Sequence, residues 1–148
     1  MKMMPFRVIP HTADLAIEAY GRDLKDLFEN SARGMFYLIY EKTPLLQSDR
    51  KVFKTIKKKF KIKNEIPGDM EMLLNLFLSA LLKFQSEKNL SLLSIEIQKI
   101  DSRKVIFSAE FLQESDQPLH EIKSVTFHNM KIEKQEDGTL KTMIVFDV

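Results

Sequence analysis

The stretch HTADLAIEAYGRDLKDLFENSARGMF, His11 to Phe36, holds a complete strand-to-helix transition. Leu15, Ile17 and Ala19 alternate with Ala16, Glu18 and Tyr20, the two-residue period of a half-buried strand. Gly21 breaks that alternation. Asp23 then reads as an N-cap, because its carboxylate can accept an amide of the first helical turn. Leu24, Leu27, Phe28, Ser31, Met35, Phe36 and Ile39 recur on one helical face. Gly34 within this helix is either a local cost or a point of close packing. His11 and Asp14 stand just before the strand. Asp14 reads as a turn-capping carboxylate or as part of a site, and residues of this kind usually cap.

Working outward, Phe6–Pro10 is a first short extended piece, and Pro44 closes the helical region. KVFKTIKKKFKIK, Lys51 to Lys63, places Val52, Ile56, Phe60 and Ile62 at even positions and Lys51, Lys57, Lys59, Lys61 and Lys63 at odd ones. That is a strand with one apolar and one basic face. Ile66-Pro67-Gly68-Asp69 is a loop capping a second helix, about Met70 to Glu87, apolar nearly all round and so packed on more than one side. Strands follow at Leu93–Ile100, Val105–Leu112, Ile122–Glu133 and Leu140–Val148, with turns at Asp101–Lys104 and at Glu136–Thr139, where Asp137-Gly138 signals a hairpin. The order β-β-α-β-α-β-β-β-β predicts a single α+β domain over 1–148, two helices packed on mostly antiparallel β-sheet.

With 148 residues, 44% apolar and 30% charged, the chain is long enough to bury its own core. A net charge of +2 argues against bulk attraction to nucleic acid, so any such contact must come from local patches. The absence of cysteine excludes disulfides, thiolate metal sites and thiol catalysis. The N-terminus is too short and interrupted for a signal peptide, and the longest apolar run, Leu73 to Leu82, falls well below the roughly 18 residues of a membrane span. A cytoplasmic location, with no membrane partner, is the expectation.

No glycine-rich phosphate loop, GxSxG or HExxH is present. Three features remain. In the first, His11-Thr12-Ala13-Asp14, the carboxylate is a turn residue or a ligand. In the second, Asp147 lies in an apolar C-terminal strand; if Ile144 and Phe146 face the core, it shares the other face with Met143 and Val145. It is either a solvated end-of-chain charge or, with the carbonyl or carboxylate of Val148 and with Asp14, a set of hard oxygen ligands suited to Ca²⁺ or Mg²⁺. In the third, His120 to His128, an unbroken strand puts Lys123 on a face with Val125 and Phe127, where it either snorkels or holds a fixed charge for a carboxylate or phosphate. Lone His120 and His128 are more often structural. The lysines of the basic strand guard a sheet edge, or Lys57, Lys59 and Lys61 contact RNA or a partner.

HTADLAIEAYGRDLKDLFENSARGMF, EIKSVTFHNMKIE and the terminal VFDV, in this order, resemble the archease family over essentially the whole chain. Ser124 and Phe127 stand where the family's EIKAVTYH strand has Ala and Tyr. The resemblance implies a small cytosolic accessory protein of an RtcB-type RNA ligase, with tRNA met indirectly through that ligase. The ligase joins 2′,3′-cyclic phosphate or 3′-phosphate ends to a 5′-hydroxyl; GTP and Mn²⁺ belong to it. The archease promotes guanylylation and multiple turnover and has no catalytic residues of its own. The resemblance further implies a divalent cation, commonly calcium with magnesium as the alternative, held by Asp14, Asp147 and Val148. It makes His11 and Lys123 partner-activating. Phe77-Leu78-Ser79-Ala80-Leu81 lacks the acidic residue of the family's second helix, and Gln113–Pro118, with Glu114, only loosely matches the family's loop. Two other readings stand beside the activator: a chaperone-like modulator of a tRNA-modifying enzyme such as a tRNA methyltransferase, and, ranked last, a hydrolase using Asp14, Asp147 and His11.

Overall fold

The structure, a computed structural model, describes residues 4–10, 14–41 and 54–148. Strands β1 (Phe6–Ile9) and β2 (Leu15–Gly21) lead into helix α1 (Leu24–Tyr40). Strand β3 (Thr55–Lys63) and helix α2 (Met70–Lys88) follow, then β4 (Leu90–Ile100), β5 (Lys104–Gln113), β6 (Ser124–Val125), β7 (Glu133–Lys134) and β8 (Leu140–Asp147). The larger sheet runs β1-β2-β8-β6, with β7 also on β8; the smaller runs β3-β5-β4. Every pairing is antiparallel, and the α+β architecture is the expected one.

Local chemistry accounts for the boundaries. Asp23 caps α1 by accepting the Asp26 amide at 2.9 Å, and Asp69 caps α2 by accepting the Met72 amide at 3.0 Å. Glu41 closes α1 in the left-handed region, at φ 52°; Pro44, expected to end the helix, lies outside the described residues. Gly34 is a point of close packing. A Cβ there would stand 2.5 Å from Ile17 Cδ1 and 3.1 Å from the Phe6 ring, so a larger residue would force Ile17 to shift or α1 to move away from β1 and β2.

The two sheets share one hydrophobic core through the helices. Helix α2 is packed on several sides, against α1, the small sheet and β6. Phenylalanine rings link the layers: Phe28 lies 5.2 Å from Phe77, Phe77 4.7 Å from Phe107, and Phe107 stacks on Phe60 at 4.7 Å.

The expected strand Ile122–Glu133 is not continuous. Only β6 and β7 form, two residues each, on the same edge of β8 at its two ends. Thr126 breaks the ladder: its hydroxyl donates to the Val145 carbonyl at 2.9 Å and accepts the His128 amide at 3.2 Å. A turn follows, with Met130 N bonded to Phe127 O and Asn129 at φ 57°. Val125 is therefore buried while Phe127 is 52% exposed, and the predicted common face of Lys123, Val125 and Phe127 does not exist.

Candidate functional site at the end of the larger sheet

The site grows from a register. Leu15 pairs with Phe146 and Ile17 with Ile144, all facing the core. Extended by one residue, that register sets Asp14 opposite Asp147. Residues that oppose each other in an antiparallel pair share a face, so the two carboxylates lie on the side away from Leu15 and Phe146. Ile144 and Phe146 are buried, and Asp147 takes the face of Met143 and Val145 as expected.

β6 brings the third group. Ser124 pairs with Asp147, and the Lys123 amide donates to the Asp147 carbonyl at 2.7 Å. Lys123 and Asp147 are exposed, as is Val148 at 41%. Behind them, Asn75 of α2 donates its side-chain amide to the Val125 carbonyl at 3.0 Å. A two-residue strand is thus held from the core side as well as from β8.

The neighbouring chain segment is tied to α1. The amides of Leu119 and His120 both donate to the Ile39 carbonyl, at 2.7 and 3.1 Å. His120 Nε2 lies 3.6 Å from Glu41 Oε1, at the C-terminus of α1. His128 is exposed and serves the Thr126 turn through its amide. His11 lies outside the described residues.

Like charges directly opposite on a ladder are destabilising. Asp14 and Asp147 therefore call for a counter-charge, from Lys123 or from a bound cation. All the donors are hard oxygens, which fits Ca²⁺ or Mg²⁺ and not a soft metal. Among the described residues no group of three or more His, Asp or Glu side chains could hold an ion. Backbone oxygens such as that of Val148, water or a partner would complete the shell.

The same outer face carries a second charged group. Arg7 Nη2 lies 3.1 Å from Glu18 Oε1 across the β1–β2 pair, and the Tyr20 hydroxyl donates to the same carboxylate oxygen. That hydroxyl, followed by Arg7, holds the Glu18 carboxyl below the ordinary glutamate range. Burial and then the Glu18 bond push the Tyr20 phenol up.

A buried polar cluster joins the C-termini of both helices to the small sheet, and the sequence reading missed it. Gln85 donates to the Tyr40 hydroxyl at 3.2 Å, and that hydroxyl donates to Asn89 Oδ1. Asn89 Nδ2 binds the carbonyls of Glu114 and Asp116, and Ser91 donates to the Glu114 carboxylate at 2.6 Å. Burial raises the Tyr40 phenol. The one local signal was Asn89, the asparagine just past α2, in the left-handed region at φ 55°.

The basic strand is found at a sheet edge, with Lys57, Lys59 and Lys61 exposed and Phe60 buried. Lys51 and Val52 lie outside the described residues.

These features define a class: a two-sheet α+β protein carrying an oxygen-rich charged tip where three distant segments meet. The model of the Archease protein family matches residues 6–148. Protein archease of Pyrococcus furiosus is 31% identical over 145 residues, covering 93% of this chain and 94% of that protein. Protein archease of Methanosarcina acetivorans is 30% identical, covering 97% and 95%. The solution structure of Methanobacterium thermoautotrophicum protein 1598 superimposes with a TM-score of 0.68 at 27% identity, over 99% of this chain and 100% of that one. A crystal structure from Thermotoga maritima, described as an archease and possible chaperone, shares the fold at a TM-score of 0.64 and 23% identity, over 100% of this chain and 98% of that one. The chain belongs to the archease family.

Proposed function

We propose that this archease is a cytoplasmic, non-catalytic activator of an RtcB-type RNA ligase in tRNA splicing and RNA repair. The observation that carries the reading is the β2–β8 register, which brings Asp14 opposite Asp147 beside Lys123. Two carboxylates without a defined base or nucleophile do not specify a reaction. A charged tip at a sheet end does suit entry to, or rimming of, a partner's metal- and nucleotide-binding site. Asp14 and Asp147, with Val148, would hold a divalent cation, calcium above magnesium, whose chemistry is charge neutralisation. Lys123 supplies a fixed positive charge. The tip needs only to bind the productive ligase state better than the unproductive one to shift its population.

The test is RNA ligation under excess substrate, with ligase and GTP, with and without this protein and its Asp14→Ala variant. The wild type restores multiple turnover, and the variant returns it to the rate of ligase alone. If neither changes the rate while the two proteins still bind each other, the activator reading is wrong.

A chaperone-like modulator of a tRNA-modifying enzyme such as a tRNA methyltransferase is the second reading. It is favoured by Leu119 and Phe127, 58% and 52% exposed. Suppression of methyltransferase aggregation by the wild type, lost in Phe127→Ser, supports it.

A further inference from the structure

The outer face of the small sheet is a second charged surface, of opposite sign and remote in the fold from the tip. Lys57, Lys59, Lys61 and Lys63 take alternate positions on β3 and so share one face. The pairings Lys63↔Lys104 and, through Ile106, Lys61 to Lys99 add two more lysines on that face. Glu110 and Glu96, paired through the same registers, oppose them there, Glu110 within 3.6 Å of Lys57 Nζ, and Asp101 stands opposite Lys104 at the turn. Six lysines against three carboxylates give this face a net charge of +3 in a chain of +2, so the remainder of the molecule is net −1.

The geometry is a line. Alternate residues on one strand are about 6.7 Å apart, and β3 stands at the sheet edge with no partner on its far side among the described residues. Beside the line lies a shallow depression of about 520 Å³, with the hydroxyls of Ser94 and Ser108 in its floor. The aromatic residues of these strands, Phe60, Phe107 and Phe111, are all buried on the other face, and the strands contain no arginine.

That composition selects the occupant. Protein interfaces are poor in lysine and are anchored by aromatic and arginine side chains, which this face lacks. Its cations, hydroxyls and evenly spaced charge fit phosphate contacts. One line of lysines tracks one backbone, whereas a duplex presents two strands across a groove about 12 Å wide. We infer that the outer face of β3-β5-β4 binds the phosphate backbone of single-stranded RNA along β3, without reading its sequence. Lacking aromatic platforms, the contact draws on counterion release and not on base stacking. The inference stands on this face alone and does not rest on the ligase reading.

The test is fluorescence anisotropy with a short labelled oligouridylate, titrated between about 50 and 200 mM salt. The wild type binds, with affinity falling steeply as salt rises. The variant Lys57→Gln/Lys59→Gln/Lys61→Gln, shown to be folded by circular dichroism, loses more than about tenfold in affinity. Its log–log salt slope shrinks by about 2, since each single-strand phosphate contact contributes about 0.7. Lys83→Gln/Lys131→Gln/Lys134→Gln, three lysines elsewhere on the surface, binds as the wild type does. Absence of wild-type binding, or equal loss in both triple variants, overturns the inference. So does stronger binding of a duplex, or more effective competition by polyglutamate, which would assign the face to a protein partner.

Discussion

The tip of the larger sheet and the outer face of the smaller one are built in opposite ways. At the tip, Asp14, Lys123 and Asp147 come from three remote segments and meet through two strand registers and one backbone hydrogen bond. On the small sheet, four of the six lysines come from the nine residues of β3. Charges opposed across a ladder oblige something else to neutralise them. Charges spaced along one edge keep neighbouring sheets away and leave the strand folded as it is. The first arrangement gathers charge at a point and the second spreads it along a track.

If both surfaces hang on one core, a cut in the middle should release both. Phe107→Ala removes the ring that stacks on Phe60 and meets Phe77 edge-on. It should cost about 3–5 kcal/mol, with both sheets lost in one urea transition. Two separated transitions would show that tip and track belong to independent folding units. A smaller effect tests the tip. In calcium-free buffer Asp147→Asn relieves the opposed charges and should raise stability by about 0.2–1 kcal/mol. Added Ca²⁺ should raise Tm for the wild type and not for the variant. An equal rise in both would remove Asp147 from any cation site.

An effect of similar size concerns Glu18. Its folded carboxyl is held below the ordinary glutamate range, so its contribution to stability is present above that range. It is lost as pH falls through the folded value. Tyr20→Phe removes the largest cause and should cost about 1 kcal/mol near neutrality. That difference from the wild type should vanish as the pH is lowered below the glutamate range. A pH-independent difference would mean that the hydroxyl acts by packing alone.

Features confined to one element were readable from the chain. The Ile17/Ala19 alternation, the Asp23 and Asp69 caps and the two-faced β3 all depend on neighbours a few residues away. The strand expected over Ile122–Glu133 failed because the Thr126 hydroxyl offered the backbone a turn that competes with the ladder, and no periodicity count registers that. The cluster of Tyr40, Gln85, Asn89, Ser91 and Glu114 was illegible because Tyr40, the stretch 85–91 and Glu114 are far apart in the chain and meet only after packing. Asp14 and Asp147 stood out as polar residues flanking apolar strands. Their opposition became visible only once Leu15 was paired with Phe146.

That pairing also sets a timetable. β8 sits in the interior of the larger sheet, between β2 and the short strands β6 and β7, yet it occupies residues Leu140–Asp147. On a nascent chain emerging from its N-terminus, β1, β2 and α1 exist long before the strand that completes their sheet. The hairpin of β4 and β5 can close on β3 while the tip is still in two halves. Long-range pairings of this kind form slowly. The order of the chain thus allows the basic track to assemble before the acidic point, which waits for β8 to pair with β2.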